Sequence, residues 1–393
     1  MIPAVMPTYA RADIAFDRGE GAYLFATDGR RFLDFASGIA VTCLGHAHPH
    51  LVRALQDQAT KLWHSSNLYQ VPGQQKLAQR LVDASFADTV FFSNSGVEAW
   101  EGGVKLIRKH FSHNGQPEKW RLITVGGSFH GRTLAAIAAA KGEKLVKGFG
   151  PMVEGFDQVA FENLNELRAA ITPETAGICV EPVQGEGGIV PARLDYLRAL
   201  REIADEFGLL LYFDEIQCGF GRTGKLFAHE WAGITPDVMC CAKGIGGGFP
   251  LGAFMATEKA ADGMQPGSHG TTYGGNPLAM AVGNAVLDVL LEPGFLDGVD
   301  KTARLLWRRL KELQKRHPSV IKEVRGAGLM LGLECVPDVG GVIADLRAEG
   351  MLTVPAGRNT IRLLPPLIIG EREIDEAIAI LDKVCSAREA ADA

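Results

Sequence analysis

The 393-residue sequence predicts an α/β protein, a large domain built on a mainly parallel sheet with helices on both faces and a smaller α+β domain beside it. Two observations carry that expectation. Short runs of β-branched and aromatic residues alternate with helical periodicity up to about residue 280, and beyond that point the pattern changes to long helices around a single strand-like run. The absence of repeats, low-complexity segments and long linkers adds that the whole is one body.

Residues 1–45 read as an N-terminal segment joining the small domain. AYLFATDGRRFLDF is a strand hairpin, with Asp28-Gly29 as the turn between two apolar runs. Residues 46–280 form the large domain, with strands expected at TVFF (89–92), RLITV (121–125), GICV (177–180), LLLYF (209–213) and DVMCCA (237–242). A helix follows Pro191, placing Leu194, Leu197, Leu200, Ala204 and Phe207 on one face until Gly208 stops it. Residues 281–393 form the small domain, with a strand at GLMLGLE (328–334) and a last amphipathic helix carrying Ile374, Ile378, Leu381 and Cys385 on one stripe.

The charge balance, 40 Lys+Arg against 46 Asp+Glu, lacks the basic excess that nucleic acid or an anionic membrane would need, so small-molecule chemistry is expected. The seven cysteines, at 43, 179, 218, 240, 241, 335 and 385, show no C-x-x-C spacing, which argues against a disulfide framework or zinc and for a reducing compartment. The N-terminal stretch has no apolar signal region, and a cytoplasmic location is expected.

Ligands of open α/β sheets gather at the carboxyl ends of the strands, so the polar residues following each apolar run are the candidates. TVFF runs into Ser93–Val97 and a helix, a start whose N–H groups suit phosphate. RLITV runs into GGSFHGRT, bringing Phe129, His130 and Arg132; LLLYF ends in Asp214; DVMCCA ends at Lys243. Taken singly, each has a plain alternative as a helix cap or a turn. An ammonium among apolar residues loses charge and becomes a nucleophile able to form a Schiff base with an aldehyde. A lysine for that bond, an aspartate for a pyridinium nitrogen, an aromatic face and a phosphate-binding turn together point to pyridoxal 5'-phosphate.

SNSGVEAWEGGVKLIRK, SFHGRT, VEPVQGEGG, FDEIQCGFGRTGKLFA, AKGIGGGFPLGA, HGTTYGGNPLA and RLLPPL, in this order, resemble the class III pyridoxal-phosphate aminotransferases, of fold type I, over nearly the whole chain. Within that class, SGIAVTCLGHAHP, HSSNLY and RLLPPL most resemble the acetylornithine aminotransferases. The resemblance implies a seven-stranded large domain and a homodimer with shared active sites. It implies that Lys243 is the Schiff-base lysine and that Asp214 pairs with the ring nitrogen. Phe129 would stack on the ring beside His130, Gln217 would face the ring hydroxyl, and Ser95, Gly96 and Val97 would hold the phosphate with Thr272 of a neighbouring subunit. Arg362 would bind the α-carboxylate of glutamate, with Glu186 masking it while the ω-amine donor is bound; Arg132, Asn67 and Tyr69 would complete the substrate site.

The chain departs from the pattern at Val97, where threonine or alanine is common, and at the bulky Trp100. Gly102 and Gly103 would each cost a helix ~1 kcal/mol relative to alanine, so that stretch reads as close helix packing around Trp100. A nicotinamide enzyme is disfavoured because GIGGGF lacks the third glycine of the dinucleotide fingerprint and the glycines of GAGLMLGLE run into a strand. HAHPH (46–50) reads as a structural turn rather than a zinc site, and Cys240 and Cys241 as buried apolar residues. A non-catalytic binding protein does not explain Lys243, Asp214 and two candidate arginines, whereas an aminomutase or decarboxylase would keep the cofactor residues without needing the Arg362–Glu186 pair. Against ornithine δ-aminotransferase stands Ile39, where those enzymes carry tyrosine for a free α-amine. The expected reaction moves the δ-amino group of N2-acetylornithine to 2-oxoglutarate, in arginine biosynthesis; ornithine, succinylornithine, succinyl-diaminopimelate and 4-aminobutyrate are the alternative donors.

Overall fold

The structure is a computed structural model and describes residues 2–391. Its centre is a seven-stranded sheet in the order Thr89–Ser93, Gly252–Ala256, Val238–Cys241, Leu210–Asp214, Thr175–Val180, Arg121–Val125, Phe156–Val159. Only Gly252–Ala256 runs antiparallel to its neighbours. The five expected strands are all present, and they share one carboxyl edge. Sequence reasoning missed two strands. FDQV (156–159) is short and half polar, and GAFMA (252–256) continues the glycine-rich stretch that starts at Lys243.

The strands read as continuous apolar runs because both faces are covered. One layer is helix Gly96–His113, pressed onto the strands carrying Tyr212 and Phe254. A Cβ on Gly102 would clash with the Phe254 ring and one on Gly103 with the Tyr212 ring. Close packing does explain both glycines: they let the helix sit low enough to bury Trp100 completely. Gly103→Ala is therefore expected to lose about 1–3 kcal/mol of stability through overpacking, although alanine by itself favours a helix interior by ~1 kcal/mol. Denaturant midpoints check this, and a gain in stability would show that the helix can lift off the sheet.

Helix Leu194–Phe207 packs on the other side and ends where expected, with Gly208 in the left-handed region at φ 59°. Helix Pro277–Leu290 packs against Pro49–Ala59 and Pro72–Asp83. The C-terminal part contains helix Phe295–Arg316 and a four-stranded sheet, Ile321–Ala327, Met330–Cys335, Thr360–Leu363 and Val354–Ala356. The strand expected at 328–334 begins at Met330, because Gly328 turns at φ 57° against Thr223. Tyr23–Ala26 and Arg31–Asp34 form the hairpin read from the sequence, and Arg31–Asp34 pairs in parallel with Met351–Leu352. Arg31 and Tyr23 also bind Glu376 of the last helix, at 2.6 and 3.0 Å, tying the N-terminal hairpin to the C-terminal part.

Candidate active site

The residues that leave the carboxyl edge of the sheet converge on a cavity of about 350 Å³. After Thr89–Ser93, helix Gly96–His113 starts on Ser95, whose Oγ accepts the N–H of Glu98 at 3.4 Å, while Glu98 Oε2 takes the N–H of Asn94 at 2.6 Å. This reciprocal capping leaves the N–H groups of Gly96 and Val97 without an intrahelical partner at the positive end of the helix dipole. The loop after Arg121–Val125 packs directly on that start. Gly131, at φ 129°, lies where any side chain would collide with Val97. The loop thereby carries Phe129 and His130 into the cavity wall.

Asp214 ends the central strand and is 3% exposed. Its Oδ1 accepts the N–H of Ile216 at 3.0 Å and its Oδ2 meets Nδ1 of His130 at 2.7 Å, so the carboxylate is held on both sides. Glu215, next along and fully buried, anchors the following loop by accepting the N–H groups of Ala228 and His229 and pairing with Nδ1 of His229 at 2.8 Å. Lys243 follows Val238–Cys241 with a left-handed φ of 51°, a strained geometry for a side-chain-bearing residue that turns the chain as it leaves the strand and puts the lysine in the cavity lining. Burial, reinforced by the charge of Arg362, pulls its ammonium down to about 8.

Arg362, 2% exposed, donates through Nη1 to Glu186 Oε1 at 2.6 Å and to Gln217 Oε1 at 3.0 Å, and through Nη2 to the Pro355 carbonyl at 3.1 Å. The ion pair read from the sequence is thus formed. Sequence reasoning missed Glu181. Its carboxylate lines the cavity and accepts the N–H of Phe129 at 2.8 Å and of Gly185 at 3.1 Å, joining two loops. Burial and the charge of Asp214 push its carboxyl up. The rule of inspecting the residue after each apolar run points straight at it, since it follows Thr175–Val180.

Other expected residues lie elsewhere. Arg132 is exposed and outside the cavity lining, with its guanidinium 5.7 Å from the centre of the Phe129 ring. Asn67 and Thr272 line a separate cleft, where Asn67 donates to the carbonyls of Thr271 and Gly274, and Tyr69 is largely exposed in a neighbouring one. Within one chain these three do not reach Lys243. His46 pairs with Asp34 at 2.7 Å and His50 with Asp288 at 2.8 Å, which gives the HAHPH turn its structural anchors.

The cavity residues fit pyridoxal phosphate. Two unpaired backbone N–H groups suit the phosphate, and Lys243 offers an amine of lowered basicity. A buried carboxylate braced by an imidazole suits a protonated ring nitrogen, and Phe129 supplies an aromatic face. The buried Nε2 of His130 has no partner within the protein, as expected in a wall that faces a polar ligand.

The model of the class-III aminotransferases matches residues 5–385. The acetylornithine aminotransferase of Mesorhizobium japonicum is 59% identical over 95% of this chain and 94% of its own. That of Rhodobacter capsulatus is 56% identical over 99% of both. Among solved structures, the N-acetylornithine aminotransferase of Stenotrophomonas maltophilia superposes with a TM-score of 0.85 at 37% identity, covering 98% of both chains, and the ornithine aminotransferase of Toxoplasma gondii with 0.94 at 30%, covering 98% of this chain and 93% of that one. A cavity built for pyridoxal phosphate and a family match spanning nearly every residue agree: the chain belongs to the class-III aminotransferases, which are pyridoxal-phosphate-dependent transaminases.

Proposed function

We propose that this transaminase moves the δ-amino group of N2-acetylornithine to 2-oxoglutarate, giving N-acetylglutamate semialdehyde and glutamate, as a cytoplasmic enzyme of arginine biosynthesis. The observation that carries the two-substrate reading is the Arg362–Glu186 pair, which stands just behind Gln217 of the cavity lining. Transamination alternates between a donor whose reacting end is a bare ω-amine and an acceptor with a carboxylate beside the reacting carbon. A guanidinium that Glu186 neutralises for the first and that swings free for the second serves both. The donor's own α-carboxylate is left to Arg132, with Asn67 and Tyr69 supplied by a second copy of the chain.

Bound pyridoxal phosphate supplies an aldehyde that takes up amines and a ring that accepts the electron pair released when a C–H bond breaks. The protein's own groups do the rest. Lys243 Nζ, partly neutral near pH 8, holds the cofactor and carries a proton to and from the substrate carbon. Asp214 would keep the ring nitrogen protonated, Gly96 and Val97 would hold the phosphate, and Gln217 would face the ring hydroxyl.

Support for the acylated donor comes from the names of the relatives at 56–59% identity and from Ile39, which packs into an apolar cluster with Val183, Ile189 and Leu364 and offers no hydrogen bond to a free α-amine. Support for a homodimer with shared sites comes from the separate cleft. Residues 64–69 lie against 271–274, with His64 and Tyr273 ring centres 5.3 Å apart, and Trp63, Leu68, Tyr69 and Tyr273 expose large apolar faces around Thr272. On this reading that surface meets a second copy, and Thr272 reaches the partner's phosphate site. The same reading divides the chain into a joining segment (1–45), a large domain (46–280) and a small domain (281–393).

Steady-state kinetics with 2-oxoglutarate and a panel of amines test the donor. N2-acetylornithine is expected to exceed ornithine and 4-aminobutyrate in kcat/KM by roughly 10- to 200-fold, the discrimination available to an apolar pocket. Ornithine equalling or exceeding the acetylated donor would overturn the assignment.

A further inference from the structure

Trp100 lies in the second turn of helix Gly96–His113, and it is the largest wholly buried side chain among the described residues. The indole lies flat against the imidazole of His130, with ring centres 5.0 Å apart and planes 10° from parallel. It is itself fixed. Its Nε1 donates to Cys179 Sγ at 3.4 Å, its carbonyl accepts the Tyr212 hydroxyl at 3.0 Å, Phe156 packs on it with ring centres 5.8 Å apart, and Gly102 and Gly103 hold its helix down on the sheet. His130 has one protein partner for its nitrogens, Asp214 Oδ2 at 2.7 Å, and its Nε2 has none. With a single hydrogen bond, the plane of this buried imidazole is set by what packs on its faces. The indole packs on one of them.

We propose that Trp100 is a positioning residue for the cofactor, acting through His130: the indole plate holds the imidazole in the plane that keeps Nδ1 on Asp214, and so keeps that carboxylate aimed at the ring nitrogen. The inference rests on Asp214 meeting the cofactor ring. The other titratable groups around the pair are Glu181, Lys243, Glu215, Cys179, Cys218, Cys240, Cys241 and Tyr212, with Arg362 and Glu186 beyond Gln217. Burial pushes the thiols and the phenol upward, which leaves them neutral.

Trp100→Phe and Trp100→Leu separate a flat ring from mere filling. Both lose the bond to Cys179 and both leave space, but only phenylalanine can stack on the imidazole. The measurements are the dissociation constant of pyridoxal phosphate from the apoprotein, the pH midpoint of the visible band of the reconstituted protein, and the melting temperature of each apoprotein. Trp100→Leu is expected to bind the cofactor roughly 3- to 10-fold more weakly, the range of one lost aromatic stack. Its band midpoint should move to higher pH, because a ring nitrogen that keeps its proton less firmly draws less charge from Lys243 Nζ. Trp100→Phe should stay within about 2-fold of the native affinity with its midpoint unmoved, and its apoprotein should melt no lower than that of Trp100→Leu, because it keeps a stack on the imidazole. Equal affinities and midpoints in the two variants would overturn the proposal and leave Trp100 as packing alone. Asp214→Asn is measured alongside; if it changes neither affinity nor midpoint, the placement of Asp214 on the ring falls first and the role of Trp100 falls with it.

Discussion

Lys243→Ala is expected to lower turnover by at least ~10³-fold and to leave no cofactor attached to the protein after borohydride reduction. The side chain performs two tasks from one place, covalent capture of an aldehyde and proton transfer at the substrate carbon, and nothing nearby duplicates either. The carboxylates around Lys243 are committed: Asp214 to His130, Glu186 to Arg362, and Glu181 to the N–H groups of Phe129 and Gly185. Both tasks need a neutral Nζ. With its ammonium pulled down to about 8, the native apoprotein should capture pyridoxal phosphate faster as the pH rises through that value. Lys243→Arg should be as inactive as the alanine variant, because a guanidinium stays charged throughout this range. Small amines added to Lys243→Ala should restore part of the proton transfer, since they fit the space left by the side chain. Near-native turnover in Lys243→Ala, or a reduced adduct on a different lysine, would remove Lys243 from both tasks.

The residues that matter most were legible in the sequence because a general rule locates them. Ligands collect where parallel strands end, and Asp214 and Lys243 stand at or just past such ends, with Phe129 and His130 in the loop after a third. Four of the five strands found in advance are buried on both faces and so read as apolar runs, and the fifth, the half-buried edge strand Thr89–Ser93, is apolar at Val90, Phe91 and Phe92. FDQV did not, because Asp157 and Gln158 are half-buried, Asp157 paired with Arg121 and Gln158 bonded to the Ala139 and Ala140 carbonyls. GAFMA did not, because it is the single reversed strand and reaches the sheet through a glycine-rich turn that obscures its start. Glu181 was overlooked for a different reason. Its surroundings, VEPVQGEGG, drew attention to Glu186, whose partner is distant in sequence and whose role needs a second charge, whereas Glu181 acts on backbone N–H groups that carry no residue signature. The stacking of Trp100 on His130 could not be read at all from one chain of letters: thirty residues separate them (130 − 100), and only the descent of a glycine-containing helix onto the sheet brings the rings together.

Arg362→Ala is expected to weaken the glutamate/2-oxoglutarate half of the reaction by roughly 30- to 5,000-fold, equivalent to about 2–5 kcal/mol, and the acylated-donor half by much less. The asymmetry follows from what each substrate asks of the guanidinium. A carboxylate beside the reacting carbon needs a fork of N–H donors in a site that excludes water, and Arg362 is buried with its Nε lacking any partner in the protein. The ω-amine donor brings no carboxylate there, so for it the guanidinium need only be silenced, which Glu186 does at 2.6 Å. Glu186 is half-buried, and without its cation it can turn toward water instead of standing unpaired, so the donor half should survive the loss. Gln217 loses one bond, at 3.0 Å, and keeps its place over Gly185, where no larger residue fits. Following the bleaching and return of the visible band in single turnovers separates the halves. Arg362→Lys should recover part of the acceptor half, since it restores the charge but not the fork. Glu186→Gln should act in the opposite direction, unmasking Arg362 so that glutamate competes better against the acylated donor. Equal losses in both halves for Arg362→Ala would mean that Arg362 and Glu186 form a fixed wall of the site rather than a pair that opens for one substrate.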